Sequence, residues 1–255
     1  IWIKNHGVPI KSNIKILNEN IYLLDQDNKV FALNKKDGTQ IWNIISISSF
    51  IKSQKLLSLA ISKNKNLISI NSSGDLFSIN SINGEINWAT NISGSLYLDA
   101  SDFFQSTDIV LTDKEIIFSD KNSTYSFSLI DGSMNWVNKL ISSTSTPIIV
   151  KENIFLVTEN GMFVILEKST GEILSSTNIL KVLKKRDQDT IITNFIIGSG
   201  KIYSTTLNGK LIVSSATTGK VENFKKISDS LVSSLIISNG KIFILSENSR
   251  ILGLN

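Results

Sequence analysis

The sequence predicts an all-β fold, a β-propeller built from four-stranded antiparallel blades. Three observations carry that expectation. The stretch from Glu19 to Trp42 reads as three short strands joined by two tight turns, and it recurs down the chain. The glycines of its second turn, Gly38, Gly84, Gly132, Gly171 and Gly219, are spaced by 46, 48, 39 and 48 residues. A further apolar segment precedes each copy and supplies a fourth strand. A period of about 40–50 residues with several strands per unit is the mark of a propeller.

In the first copy Ile21–Leu24 is an apolar run, Asp25–Lys29 a turn cluster and Val30–Leu33 a second apolar run. Asp37-Gly38 makes the second turn and Ile41-Trp42 lies on the strand after it. Gly, Asn and Asp suit these turns because they tolerate a positive φ. Further copies run over 65–88, 114–136, 152–175 and 200–223, and a shortened one begins at Gly240. In four of the five full copies the first-turn residue (Asn28, Gly74, Gly161 or Gly209) lies ten positions before the second-turn glycine. A fixed offset inside a variable period describes one supersecondary unit with inserts between units. The preceding strands are expected near Ser12–Leu17, Leu57–Ser62, Asp108–Thr112, Thr146–Val150, Thr190–Ile197 and Leu231–Ser238, which makes about six blades. Ile1-Trp2 repeats the Ile41-Trp42 pattern, so residues 1–5 are expected as the outer strand of the last blade, closing the ring and removing two exposed sheet edges. A longer propeller cut twice at the same phase of its repeat has the same register, and both readings stand on the sequence alone. Residues 1–255 read as a single propeller domain.

Composition narrows the class. A chain of 255 residues can bury roughly 70–75% of its unfolded surface. No apolar run approaches the roughly 18 residues of a membrane-spanning helix. There is no signal-peptide pattern, and Ile1 as first residue leads to the expectation of a mature or trimmed chain. The absence of cysteine excludes disulfides, thiolate chemistry and Cys-based metal sites. The net charge of +4 comes from lysines spread along the chain. Their one cluster, Lys181, Lys184, Lys185 and Arg186, is followed by Asp187 and Asp189, so no continuous basic face for nucleic acid is expected.

Two inserts interrupt the repeat. Gly94 to Thr107 carries Leu96, Tyr97, Leu98, Phe103 and Phe104 with Asp99 and Asp102 among them. It reads either as a loop whose aromatics cap a blade edge or as a docking patch of apolar anchors beside acids. Leu180 to Asp189 reads as a solvated charged turn. Catalytic constellations are missing. His6 is the only histidine and is expected as a surface residue, which leaves neither a Ser-His-Asp triad nor a zinc site. Asp25-Gln26-Asp27-Asn28 only faintly resembles a calcium loop, lacking the Gly and the distal Glu that an EF-hand needs. The sequence favours a non-enzymatic scaffold with no cofactor and no metal.

Trp2, Trp42, Trp88 and Trp136 share one repeat position, which in the other copies is four residues after the turn glycine and is taken by Ser175 and Asn223 in the last two full ones. The expected role is packing. A large ring on an outer strand fills the wedge between neighbouring blades and contributes about 2–3 kcal/mol by burial.

Ala32-Leu33-Asn34-Lys35-Lys36-Asp37-Gly38-Thr39-Gln40-Ile41-Trp42 resembles the tryptophan-docking motif of the quinoprotein-like (PQQ-like) propeller repeat family. Ser78 to Trp88 and Ser126 to Trp136 match it more loosely, and later copies keep Thr170-Gly171 and Thr218-Gly219 without the Trp. Among such propellers the chain resembles the BamB family, periplasmic lipoproteins of the outer-membrane β-barrel assembly machinery that bind no quinone. The resemblance implies a scaffold on the periplasmic, inner face of the outer membrane. Its partner would be a protein, the periplasmic domains of an outer-membrane barrel assembly protein, with membrane contact only through a lipid anchor outside this chain. Gly94 to Asp102 resembles, in place and character, the connection of acids and leucines with which that family docks the barrel protein. The family has eight blades where six are counted here. Two other readings stay open, a degenerate quinoprotein oxidoreductase and a ligand- or stress-sensing module of a larger receptor.

Overall fold

A computed structural model describes residues 1–45, 56–92, 104–143, 145–228, 235–245 and 250–254, with the Arg186 side chain left out. The described residues fold into six antiparallel sheets, five of four strands and one of three, each with its strands side by side in chain order. Two single-turn 3-10 helices are the only helical segments among them. This is the all-β fold of stacked propeller blades.

The chain divides into two compact units. The first holds Ile1–Asp120 and Tyr125–Val137, the second Lys121–Thr124 and Asn138–Asn255. Blade one consists of β1 (Lys15–Leu17), β2 (Asn20–Leu24), β3 (Lys29–Asn34) and β4 (Gln40–Ile45). Blade two consists of β5 (Leu59–Ile61), β6 (Asn66–Ile70), β7 (Asp75–Asn80) and β8 (Ile86–Asn91). Blade three has β9 (Val110–Leu111), β10 (Glu115–Ser119), β11 (Thr124–Ser128) and β12 (Met134–Asn138). Blade four follows with β13 (Ile148–Val150), β14 (Asn153–Val157), β15 (Met162–Glu167) and β16 (Ile173–Asn178). Blade five has β17 (Ile192–Gly198), β18 (Lys201–Thr206), β19 (Lys210–Ser215) and β20 (Val221–Lys226). The last sheet has β21 (Ile236–Ser238), β22 (Lys241–Leu245) and β23 (Ile251–Leu254).

Strand alternation sends successive side chains to opposite faces, and each middle strand uses both. In blade two Leu67, Phe77 and Ile79 join Tyr22, Leu24, Val30 and Ala32 of blade one. Their neighbours Ile68, Ile70 and Leu76 join Ile116, Phe118 and Phe127 of blade three. In the second unit Phe155, Val157, Phe163 and Ile165 of blade four meet Phe195, Ile202 and Ile212 of blade five. Leu211 of blade five packs with Ile242 and Ile244 of the last sheet. The near-continuous apolar runs of β6 and β14 follow from this, because a strand covered on both faces has no polar side.

The second turns share one geometry. The amide of each turn glycine donates to the carbonyl four residues earlier, as in Gly38 to Asn34 at 2.8 Å and Gly84 to Asn80 at 2.9 Å. The ladder slips just before the turn, between Ala32 and Leu33 and again between Ser78 and Ile79. The five glycines sit at φ of +71° to +78°, where a side chain is strained.

Residues 1–5, expected as an outer strand, carry no strand, and Ile1 and Ile3 are exposed. This stretch is held by side chains instead. Trp2 Nε1 donates to the Lys35 carbonyl at 2.9 Å and Lys4 Nζ to the Gly38 carbonyl at 2.9 Å. His6 also departs from the expected surface position. Its Nε2 lies 3.3 Å from Oδ2 of the buried Asp25, and its ring meets Phe31 edge-on at 4.3 Å.

Candidate functional site

The connections between blades are pinned at the turns between the second and third strands. In an antiparallel four-stranded blade these turns and the outgoing connection lie at the same end. Ile92 N donates to the Gly74 carbonyl at 2.8 Å, and Phe104 N to the Ser72 carbonyl at 3.1 Å. One turn thus grips both ends of the first insert. The expected docking residues Leu96, Tyr97, Leu98, Asp99, Asp102 and Phe103 lie outside the described residues. Phe104 is described and corrects the docking set. It is only 9% exposed, and it meets Phe118 edge-on with ring centroids 6.4 Å apart. Its ring belongs to the core between blades two and three, because the Ser72 bond turns the chain inward at that point.

The second insert also differs from expectation. It is a folded ledge, not a solvated turn. Ile179–Val182 and Lys185–Asp187 form the two 3-10 turns, η1 and η2. Ile179, Leu180 and Leu183 are buried in the core between blades four and five. The Asn178 side chain accepts the Leu180 amide at 3.0 Å, and Gln188 Nε2 donates to the Leu183 carbonyl at 2.8 Å. Asp187 pairs with Lys210 Nζ at 2.7 Å. The charges in this segment hid three apolar anchors, Ile179, Leu180 and Leu183, whose three- and four-residue spacings place them on one face of a helical turn.

The tryptophans lie against glycines of the following blade. A Cβ placed on Gly38 would come within 2.6 Å of the Trp2 ring, and one on Gly84 within 2.8 Å of Trp42. Trp88 lies over Gly132 in the same way, and Trp136 is buried. Trp42 Nε1 donates to the Ser81 carbonyl at 3.1 Å, the counterpart of the Trp2 bond to Lys35. Trp88 Nε1 is buried with no partner. Where the repeat has Ser175, Phe163 and Thr177 cover Gly219, and Thr177 Oγ1 donates to the Thr218 carbonyl at 3.0 Å.

A second signature went unread in the sequence. At four of the repeats, though not at Ile44, the residue two past the Trp position bonds to the next turn. Thr90 Oγ1 donates to the Gly132 carbonyl at 2.8 Å and Asn138 Nδ2 to the Gly171 carbonyl at 2.8 Å. Lys4, Thr90, Asn138 and Thr177 share only the ability to donate, so no residue type marks the position.

The Asp25–Lys29 turn is organised by its own carboxylate. Asp25 Oδ1 accepts the Asp27 and Lys29 amides at 2.8 and 3.0 Å. Asn28, buried at φ +62°, reaches the next blade through Nδ2 to Ser72 Oγ at 2.9 Å. No group of three or more His, Asp or Glu that could hold a metal ion occurs among the described residues.

The family model described as outer membrane protein assembly factor BamB matches residues 1–177. The outer membrane protein assembly factor BamB of Yersinia pestis is 22% identical over 228 residues, covering 84% of this chain and 53% of that protein. That of Moranella endobia is 21% identical over 229 residues, covering 85% of this chain and 54% of its own. The chain thus spans about half the length of the curated relatives it matches. Among solved structures, BamB from Moraxella catarrhalis superposes with a TM-score of 0.55 at 17% identity, over 99% of this chain and 84% of that one. The C-terminal WD40 domain of Sif2 gives 0.70 at 11% identity, over 96% and 66% of the two chains. Saccharomyces cerevisiae Sqt1 gives 0.71 at 13%, over 96% and 71%. At these identities the structural likenesses speak for the propeller fold alone. Family membership rests on the sequence match over residues 1–177, which holds the three blades whose turns are capped by Trp2, Trp42 and Trp88. The chain belongs to the outer membrane protein assembly factor BamB family of propellers.

Proposed function

We propose that this chain is a non-enzymatic binding propeller that serves outer-membrane protein assembly as a scaffold, through protein–protein contact on the periplasmic face of the outer membrane. The observation that carries the reading is the family match over residues 1–177. The curated relatives are named assembly factors, and this chain spans about half their length. The partner in this reading is a periplasmic domain of an outer-membrane barrel assembly protein. Membrane contact is through a lipid anchor outside these residues.

The proposed docking element is the first insert, with Leu96, Tyr97, Leu98 and Phe103 as apolar anchors and Asp99 and Asp102 as acids. Both of its flanks are gripped by the Ser72–Gly74 turn, which limits the ordering cost of presenting it to a partner. Apolar anchors rimmed by charges are the arrangement that concentrates binding energy.

The test is calorimetric titration of the purified periplasmic domain of a barrel-assembly protein. Leu98→Ala or Asp99→Arg should weaken binding by about tenfold or more and leave the melting temperature in place. Unchanged affinity in both variants removes the insert from the reading, and no affinity in the unaltered protein removes the partner. An absorbance change on titration with a quinone and calcium would turn the reading toward an oxidoreductase.

A further inference from the structure

We infer that the connection end of blades four and five is a second docking surface, built for an acidic, leucine-bearing segment of a partner protein. It is separate from the insert of the proposed function. It rests on the ledge formed by η1 and η2.

The ledge is stiff. Both of its ends are tied to the same turn of blade four, Ile179 N to the Gly161 carbonyl at 2.8 Å and Ile192 N to the Glu159 carbonyl at 3.0 Å. Leu180 lies against Gly161, where an added Cβ would collide with it. With Leu183 buried and Gln188 bonded to the Leu183 carbonyl, the backbone has little freedom left to lose on binding.

The ledge presents charge that no acid among the described residues neutralises. Lys181, Lys184 and Lys185 are exposed, and none forms an ion pair among the described residues. Asp187, the acid between them and blade five, is already taken by Lys210. At the opposite end of the same two blades, Lys151 and Lys220 are exposed but two other lysines are neutralised. Lys168 is paired with Glu152 and Lys201 with Glu222, each at 3.0 Å.

Apolar side chains accompany the lysines. Val182 lies on η1 itself, and Ile191 closes the ledge. Leu207, on the adjoining turn of blade five, donates its amide to the Ile191 carbonyl at 2.9 Å. All three are more than 40% exposed. Exposed aliphatic side chains flanked by unpaired cations match a segment that carries leucines and carboxylates together. Single exposed hydrophobics are ordinary, but three on one stiffened ledge beside three unpaired lysines make a patch. A nucleic acid would leave the aliphatic side chains unmatched, and Asp189, exposed on the same ledge, would repel its phosphates.

The probe is a fluorescein-labelled peptide in which Asp and Glu are interspersed with Leu. Its counterpart carries Lys at every acidic position. The acidic peptide should raise the anisotropy on binding and the basic one should not. Reversing the three ledge lysines (Lys181→Glu, Lys184→Glu, Lys185→Glu) should weaken the acidic peptide by about tenfold or more, and so should high salt. The control reverses Lys151, Lys220 and Lys241, which are exposed at the other end of the blades, and changes net charge equally. It should bind within about twofold of the unaltered protein, since charges beyond a Debye length are screened. All six positions are exposed, and unchanged circular dichroism and melting confirm that the variants fold. Equal loss in ledge and control variants would reduce the effect to net charge and overturn the proposal. No binding by the unaltered protein would also overturn it. Ledge-dependent binding to vesicles containing phosphatidylglycerol, with none to the peptide, would replace the protein segment with a lipid surface.

Discussion

At the scale of single residues the repeated turn is an electrostatic device as much as a steric one. Asp131 is pulled down to about 2 by side-chain hydrogen bonding with Ser128 and by the hydroxyl and amide of Ser133. Ser133 Oγ donates to its Oδ1 at 2.8 Å and Ser133 N at 3.1 Å. Asp37, at the same repeat position, is lowered through the hydroxyl and amide of Thr39. A carboxylate held below its unfolded value of about 3.9 adds stability that is fully present above that value and is lost as pH falls from there toward about 2. Carboxyl NMR titration should therefore find the Asp131 midpoint near 2, and Ser133→Ala should move it up toward the ordinary range. A midpoint that does not move would mean that the Ser133 hydroxyl plays no part. This turn was legible in the sequence, because Asp-Gly dictates its geometry over neighbouring residues. His6 and Phe104 were not. The first meets Asp25 across 19 positions, and the second turns into a core it shares with Phe118. Nothing in the flanking residues records either contact.

At the scale of the blade, the four-stranded unit and its order were readable because turn chemistry and apolar runs are local signals. What stitches blade to blade was readable only where a Trp marks it. Blade four makes the same junction with Phe163 and Thr177, and the donor two positions past the Trp position is a lysine, a threonine, an asparagine or again a threonine. The junctions are also unequal. Trp42 has an acceptor for its indole N–H in the Ser81 carbonyl, whereas the Trp88 N–H is buried without one. Replacing an indole by a phenyl ring keeps most of the apolar contact and removes the N–H. Trp42→Phe should then cost about 1 kcal/mol more than Trp88→Phe, since only the first breaks a hydrogen bond, while the Ser81 carbonyl keeps the Tyr22 hydroxyl as a donor at 3.0 Å. Trp88→Phe even sheds a desolvated donor. Chemical denaturation of both variants measures the difference directly. Equal losses would show that the two rings stabilise by area alone.

At the scale of the whole chain, repeat units contact mainly their sequence neighbours, so each of the two compact units is held by the cores between its own blades. The sequence placed the second insert outside those cores, as a charged turn. The structure instead makes it a wedge in the core, with Ile179, Leu180 and Leu183 filling the space between blades four and five. The consequence can be tested with trypsin, whose sites Lys181, Lys184 and Lys185 are exposed on the ledge although its backbone is held by buried leucines. Cleavage there should be slow under native conditions and should quicken when Leu180→Ala loosens the wedge. Once nicked, the two pieces should still elute together at the mass of the intact 28.2 kDa chain, because Phe155 and Phe163 on one side of the cut pack with Phe195 and Ile202 on the other. Residues 1–255 would then behave as the single propeller domain that we propose. Release of a free piece by gel filtration without denaturant would instead mean that the core between blades four and five does not hold without the intact connection, and the single-domain reading would fall with it.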